Sequence, residues 1–259
     1  MSPFLGEVSI SHFFFFFLCA CPFRIPCSIF RKKVLECQEK TVPLSRNYNA
    51  QANSEDWNGI KVHMEQEKMK FSPCVMLVDA MALDGVVADV AAYFAPVIGR
   101  KLPKADLAVL LECLALDAGW LPDADRQVQV LLVYGNGRTQ LAHCQPADLS
   151  NELDGKAFKG ELGEFAISAY QPSGMATREA LFTETLELLD EASETQRWIL
   201  VPDLQEYSGQ WKTRLDKRQS KAECTLFAMM RPPKMGSVRF EQLGFAVLRA
   251  LGIRANEIK

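Results

Sequence analysis

The sequence predicts an α/β fold, a three-layer sandwich on a mostly parallel five-stranded sheet, and three observations predict it. Residues 74–79 (CVMLVD) and 198–203 (WILVPD) are short apolar runs that each stop at an aspartate, as strands buried on both faces do. Residues 128–134 (VQVLLVY) form a third run of β-branched and aromatic residues, closed by Gly135, Asn136 and Gly137. Between these runs lie segments with helical spacing, and strands that alternate with helices build a parallel sheet covered on both faces.

Taken in order, the first strand is followed by a helix over 83–97, with Val86, Val87, Val90, Ala91 and Phe94 as its apolar positions and Pro96 and Gly99 near its end. A second helix over 106–118 places Leu107, Leu110, Leu111, Leu114 and Ala118 on one stripe. After the strand at 128–134, residues 141–144 are expected to return as a hairpin, and Pro146 to Leu149 to open a short helical turn. A glycine-punctuated stretch over 155–163 leads to 164–170, where Phe165, Ile167 and Ala169 alternate with polar residues as in a half-exposed strand. Thr177 suits the N-cap of a helix over 178–192 that turns Leu181, Phe182, Leu186 and Leu189 inward. The strand ending at Asp203, a helix over 206–218 around Trp211 and Leu215, a strand over 224–230 and a helix over 240–251 complete the chain.

Residues 1–68 differ in kind. Phe13 to Phe17 run unbroken, CACPFRIPC follows, and neither a helical nor a strand period is present. The segment before the phenylalanines carries Glu7 and no Lys or Arg, unlike the positive start of a secretory signal, and the apolar stretch is about half the ~20 residues a membrane span needs. The expectation is that 1–68 is disordered or precedes the true start, with translation beginning at Met64 or Met69, and that 69–259 is a single α/β domain. That domain carries 21 basic and 25 acidic residues.

Composition narrows the function classes. The 259 residues are 48% hydrophobic and 24% charged with a formal net charge of −3, so one sizeable core is affordable and no global positive field gathers nucleic acid. Eight cysteines form no CxxC, and those after residue 70 sit in apolar runs as reduced hydrophobes, which points to the cytoplasm. Three histidines leave little material for a zinc centre or a Ser/His/Asp triad. Asp79-Ala80-Met81-Ala82 stands where a GxGxxG would follow the first strand, and neither GxxxxGK[ST] nor GxSxG occurs, so no nucleotide cofactor is expected.

The candidate site is acidic. Asp79 and Asp203 end two strands at the edge where open α/β sheets bind ligands. Each also has a purely structural reading: Asp79 as a cap of the next helix or the partner of a cation, Asp203 as an acceptor for backbone N–H groups at a helix start. The loop RPPKMGSVR over 231–239 is the most basic segment; Arg231 and Lys234 in it, with Arg178, are candidate anion contacts.

VMLVDA, then WILVPDLQEYSGQWKTRL and AECTLFAM, resemble the NYN branch of the PIN-like nucleases over residues 75–252. The chain also resembles an uncharacterised bacterial family whose length fits a start near Met69. The nuclease resemblance implies a Rossmann-like sheet with the first and fourth strands side by side. It implies that Asp79 and Asp203 hold Mg²⁺ or Mn²⁺, with Glu206 close to the position of a further acid. Two departures stand out: Thr177-Arg178-Glu179 puts a cation where another acid is expected, and Pro202 replaces a glycine. With two of four acids kept, the expected site is degenerate, with no metal or a weakly bound one. Asp106, Glu112, Asp117 and Glu184 are reserve ligands on helices.

Three functions follow. The first is a non-catalytic binding or scaffold domain whose partner is RNA or a protein, not a membrane. The second is a divalent-metal-dependent ribonuclease with Asp79, Asp203 and Glu206 as catalytic residues. The third is an unrelated α/β module with structural aspartates.

Overall fold

A computed structural model describes residues 70–258, apart from Asn136, Gly174, Lys234, Met235 and Ser237. The expectations for residues 1–68 and for Lys234 lie outside the described residues. Strand β1 (Cys74–Asp79) leads directly into helix α1 (Ala80–Ile98), and the two-residue β2 (Ala105–Asp106) leads into α2 (Leu107–Asp117). Then come β3 (Gln127–Val133), the short β4 (Cys144–Gln145), a π-helical turn (Leu149–Leu153), β5 (Lys156–Gly160) and β6 (Gly163–Tyr170). The last third holds α3 (Arg178–Glu191), β7 (Arg197–Val201), α4 (Gln210–Asp216), β8 (Glu223–Ala228), β9 (Arg239–Gln242) and α5 (Leu243–Ala250).

The main sheet among the described residues has seven strands in the order β5-β6-β3-β1-β7-β8-β9. All neighbours pair in parallel except β5 with β6. Counting only the parallel strands in chain order, this is 3-2-1-4-5-6, a Rossmann-like arrangement in which the chain reverses its direction of travel between β1 and β7. Asp79 ends β1 at that reversal. All six β1 residues are buried because the strand is paired on both edges and covered on both faces.

Alternation along the strands divides the core. Val75 and Leu77, Trp198 and Leu200, and Cys224 and Leu226 pack in one cluster with Phe182, Leu186 and Leu189 of α3 and Trp211 and Leu215 of α4. Asp79 continues the 75, 77 series, so its side chain falls on the α3 side of the sheet. Burying Leu83, Val87, Val90 and Phe94 at helical spacing, α1 is long and apolar enough by length and composition to cross a membrane, yet here it is the crossover helix after β1. Described cysteines 74, 113, 144 and 224 are buried and unpaired, and burial pushes the thiols of Cys113 and Cys224 up to about 12.

Several expectations are corrected. The sheet has seven strands rather than five. Residues 141–144 form no hairpin return; Cys144–Gln145 pairs in parallel with Ala105–Asp106, because Asp84 of α1 accepts hydrogen bonds from the amides of Ala142, His143 and Cys144 and holds that loop against the helix. The glycine-punctuated stretch contains β5, whose tight return to β6 needs Gly160 and Gly163. A Cβ at Gly160 would stand 1.5 Å from Glu112 Oε1, and Gly163 has φ +134° against the Arg126 carbonyl. The segment expected as one helix over 240–251 begins as β9, a partly exposed edge strand, before α5 starts at Leu243. The helix expected over 206–218 is confined to Gln210–Asp216, because Asp203 and Glu206 are engaged in the turn before it.

The reserve acids are used locally. Asp106 caps α2 through the amides of Ala108 and Val109, buried Glu112 accepts the Glu161 amide at 2.9 Å, and Glu184 is exposed on α3. Asp117, at the end of α2, sits near Arg249, Glu241 and Arg239, and burial pushes its carboxyl from its ordinary 3.8 up to about 6. A raised carboxyl pKa in the folded state means stability is full below pH 3.8 and is lost as pH rises through about 6. Asp117→Asn is therefore expected to stabilise the domain by about 2–3 kcal/mol at pH 7.5 and by almost nothing near pH 4. Urea unfolding of both proteins at the two pH values checks this, and an equal gain at both contradicts it.

Candidate functional site

The crevice at the reversal point is built from the ends of β1 and β7 and the first turn of α3. Asp79 is wholly buried, and its Oδ1 accepts the Ala82 amide at 2.8 Å, which caps α1. Asp203 follows β7, and its Oδ1 accepts the amides of Gln205 and Glu206 at 2.9 Å each, folding the turn that leads to α4. Both structural readings of these aspartates therefore describe real hydrogen bonds, and each residue still has acceptor capacity facing the crevice.

Arg178 occupies that space. Thr177 caps α3 through the Ala180 amide, which places Arg178 first in the helix. Its Nη1 donates to both oxygens of Asp79 at 2.5 Å, and its Nη2 donates to Asp203 Oδ2 at 3.1 Å and to Glu206 Oε2. The Arg178 side chain is 13% exposed, whereas that of Glu206 is 72% exposed, so the cluster is sealed below and open at one acid. Tyr207 donates its hydroxyl to Asp79 Oδ2 at 2.5 Å, and its ring lies 5.9 Å from the guanidinium carbon. Phe182 meets the same ring edge-on and ties it to the core.

Charges follow the packing. Burial pushes the Asp79 carboxyl up, and the Tyr207 hydroxyl, the Ala82 amide and the Arg178 charge each oppose that rise. Burial also works against the Arg178 cation, but Asp79, Tyr207, Asp203 and Glu206 together outweigh it and hold the guanidinium protonated. Burial, reinforced by Asp79, drives the Tyr207 phenol far above its ordinary range, so it stays a donor. Beside Arg178, Glu179 accepts the amides of Ser208, Gly209 and Gln210 at 2.7–2.8 Å. Adjacent residues of one helical turn thus grip β1 and the β7–α4 loop at once.

The structure brings Asp79, Asp203, Glu206 and Arg178 together. Arg231 stands apart, exposed after β8 and stacked 6.0 Å over Phe240. The donors of Arg178 are directed at carboxylates, so an anion would have to displace them. Tyr207 and Glu179 are the participants that sequence reasoning did not single out. Tyr207 was read only with Glu206, as standing near an Asp-Phe pair of the resembled nucleases, and Glu179 only as a first-turn acid. For Mg²⁺ or Mn²⁺ the residues present do not fit: the guanidinium stands among the acids, and among the described residues no group of three or more His, Cys, Asp or Glu side chains is disposed to hold a metal ion.

A family model matches residues 68–258, which include every residue of this crevice. The chain belongs to DUF6621, a family of unknown function. The match begins at residue 68, close to the boundary where the sequence changes character. No curated protein and no solved structure matches the chain. What DUF6621 membership and the structure establish together is an α/β domain with a Rossmann-like sheet.

Proposed function

We propose that this DUF6621 domain is a degenerate, non-catalytic PIN/NYN-like binding or scaffold module. One observation carries the reading: Arg178 sits between Asp79 and Asp203, where a hydrolytic ion of the resembled nucleases would have to coordinate both. The guanidinium places a positive charge between two buried carboxylates, but it has no open coordination position and lowers no water pKa. The site is held together rather than held ready. The strand order, which puts β1 beside β7, supports the resemblance at the level of topology.

Incubation of the full chain with single-stranded RNA in Mn²⁺ or Mg²⁺ is expected to give no cleavage above buffer, with Asp79→Asn indistinguishable from the parent protein. Mn²⁺-dependent cleavage that Asp79→Asn abolishes would overturn the reading in favour of a ribonuclease using Asp79 and Asp203.

A further inference from the structure

We propose that the crevice is a guanidinium-binding pocket of which Arg178 is the tethered occupant, so that the ligand class it takes is a guanidinium group rather than a metal ion. This deepens the non-catalytic reading and rests on it.

The acceptors are distributed for a fork. Asp79 Oδ1 is already engaged by the Ala82 amide and Oδ2 by the Tyr207 hydroxyl, and both oxygens face a single nitrogen, Nη1. Asp203 Oδ2 and Glu206 Oε2 face the other nitrogen, Nη2, while Asp203 Oδ1 is taken by the Gln205 and Glu206 amides. Four oxygens are thus shared between two separated donors, and the Tyr207 ring lies beside the planar cation. A divalent ion needs its oxygens gathered about one point at ~2.0–2.6 Å, and an ammonium is one point charge without a plane to match. Glu206 is the exposed member of the set, so the pocket opens to solvent on its side.

The test is thermal unfolding of full-length Arg178→Ala with methylguanidinium, Nα-acetylargininamide, Mn²⁺ or Mg²⁺ at matched ionic strength. Methylguanidinium at about 10 mM is expected to raise the variant's Tm by about 3 °C or more while leaving the parent protein unmoved. An equal response to Nα-acetylargininamide would identify the arginine side chain as a fitting ligand, and a response to methylguanidinium alone would restrict the pocket to small guanidinium compounds. A rise with Mn²⁺ and none with methylguanidinium overturns the proposal, as does a folded variant that responds to neither. Should Arg178→Ala not fold, Arg178→Lys takes its place: a Tm clearly below the parent supports the fork, and equality with the parent overturns it. Cleavage of RNA by a protein whose variant binds methylguanidinium would remove the non-catalytic reading alone.

Discussion

Arg178→Met is expected to destabilise the domain by about 3–5 kcal/mol at pH 8, because it leaves the wholly buried Asp79 charge, and in part Asp203, without a counter-ion. The Ala82 amide and Tyr207 hydroxyl remain as donors to Asp79 but carry no net positive charge. The sign of the pH dependence follows from burial. Burial already raises the Asp79 carboxyl in the folded protein, and removing the cation raises it further. A raised carboxyl contributes stability that is full below its ordinary pKa of 3.8 and is lost as pH rises through the folded value. The gap between variant and parent should therefore shrink on acidification and widen toward neutral pH. Urea unfolding at pH 5 and pH 8 measures it. Adding Asp79→Asn to Arg178→Met should recover most of the loss, since a buried pair removed together is far less harmful than one removed alone. A loss below about 1 kcal/mol at pH 8 would mean that the crevice admits water freely around Asp79.

Gly163→Ala is expected to lower stability by about 3 kcal/mol or more, with the crevice chemistry untouched. Gly163 opens β6 with φ +134°, a conformation L side chains rarely adopt, and a Cβ there would lie 2.3 Å from the Arg126 carbonyl oxygen. That oxygen also accepts the Glu164 amide at 2.8 Å, the bond that starts β6 against β3. The obstructing atoms are the Arg126 carbonyl and its Cβ, which cannot swing aside, so the strain and the displaced hydrogen bond add. Denaturant midpoints of variant and parent check the prediction, and a change within 0.5 kcal/mol would contradict it.

The sequence made legible what local periodicity encodes. The continuous apolar runs of β1, β3 and β7 and the Thr177-capped helix could be read because burial on two faces, or on one helical stripe, leaves a strong pattern. β5 (KAFKG) was not legible, since in this edge strand no residue is fully buried, Lys156 and Lys159 are exposed, and Gly155 and Gly160 at its two ends read as loop. β9 (RFEQ) was absorbed into α5 for a related reason: four residues carry too little period to separate them from the helix that follows. At the site, the approach of Asp79 to Asp203 follows from strand order, which the resemblance to the PIN-like nucleases implied and the alternation of elements alone does not fix. The exact partner of Arg178 did not, because a cation beside an expected acid says nothing about which way its long side chain turns. Tyr207 and Glu179 act through contacts about 30 to 130 positions away in sequence, which no local pattern records.

The central position of β1 has a consequence for how the chain is made. Its register with β7 pairs Cys74 with Arg197, so one edge of the most apolar strand leaves the ribosome roughly 120 residues before its partner does. Until then β3 alone can pair with it, and the nascent protein carries a sticky, half-assembled sheet while those residues are added.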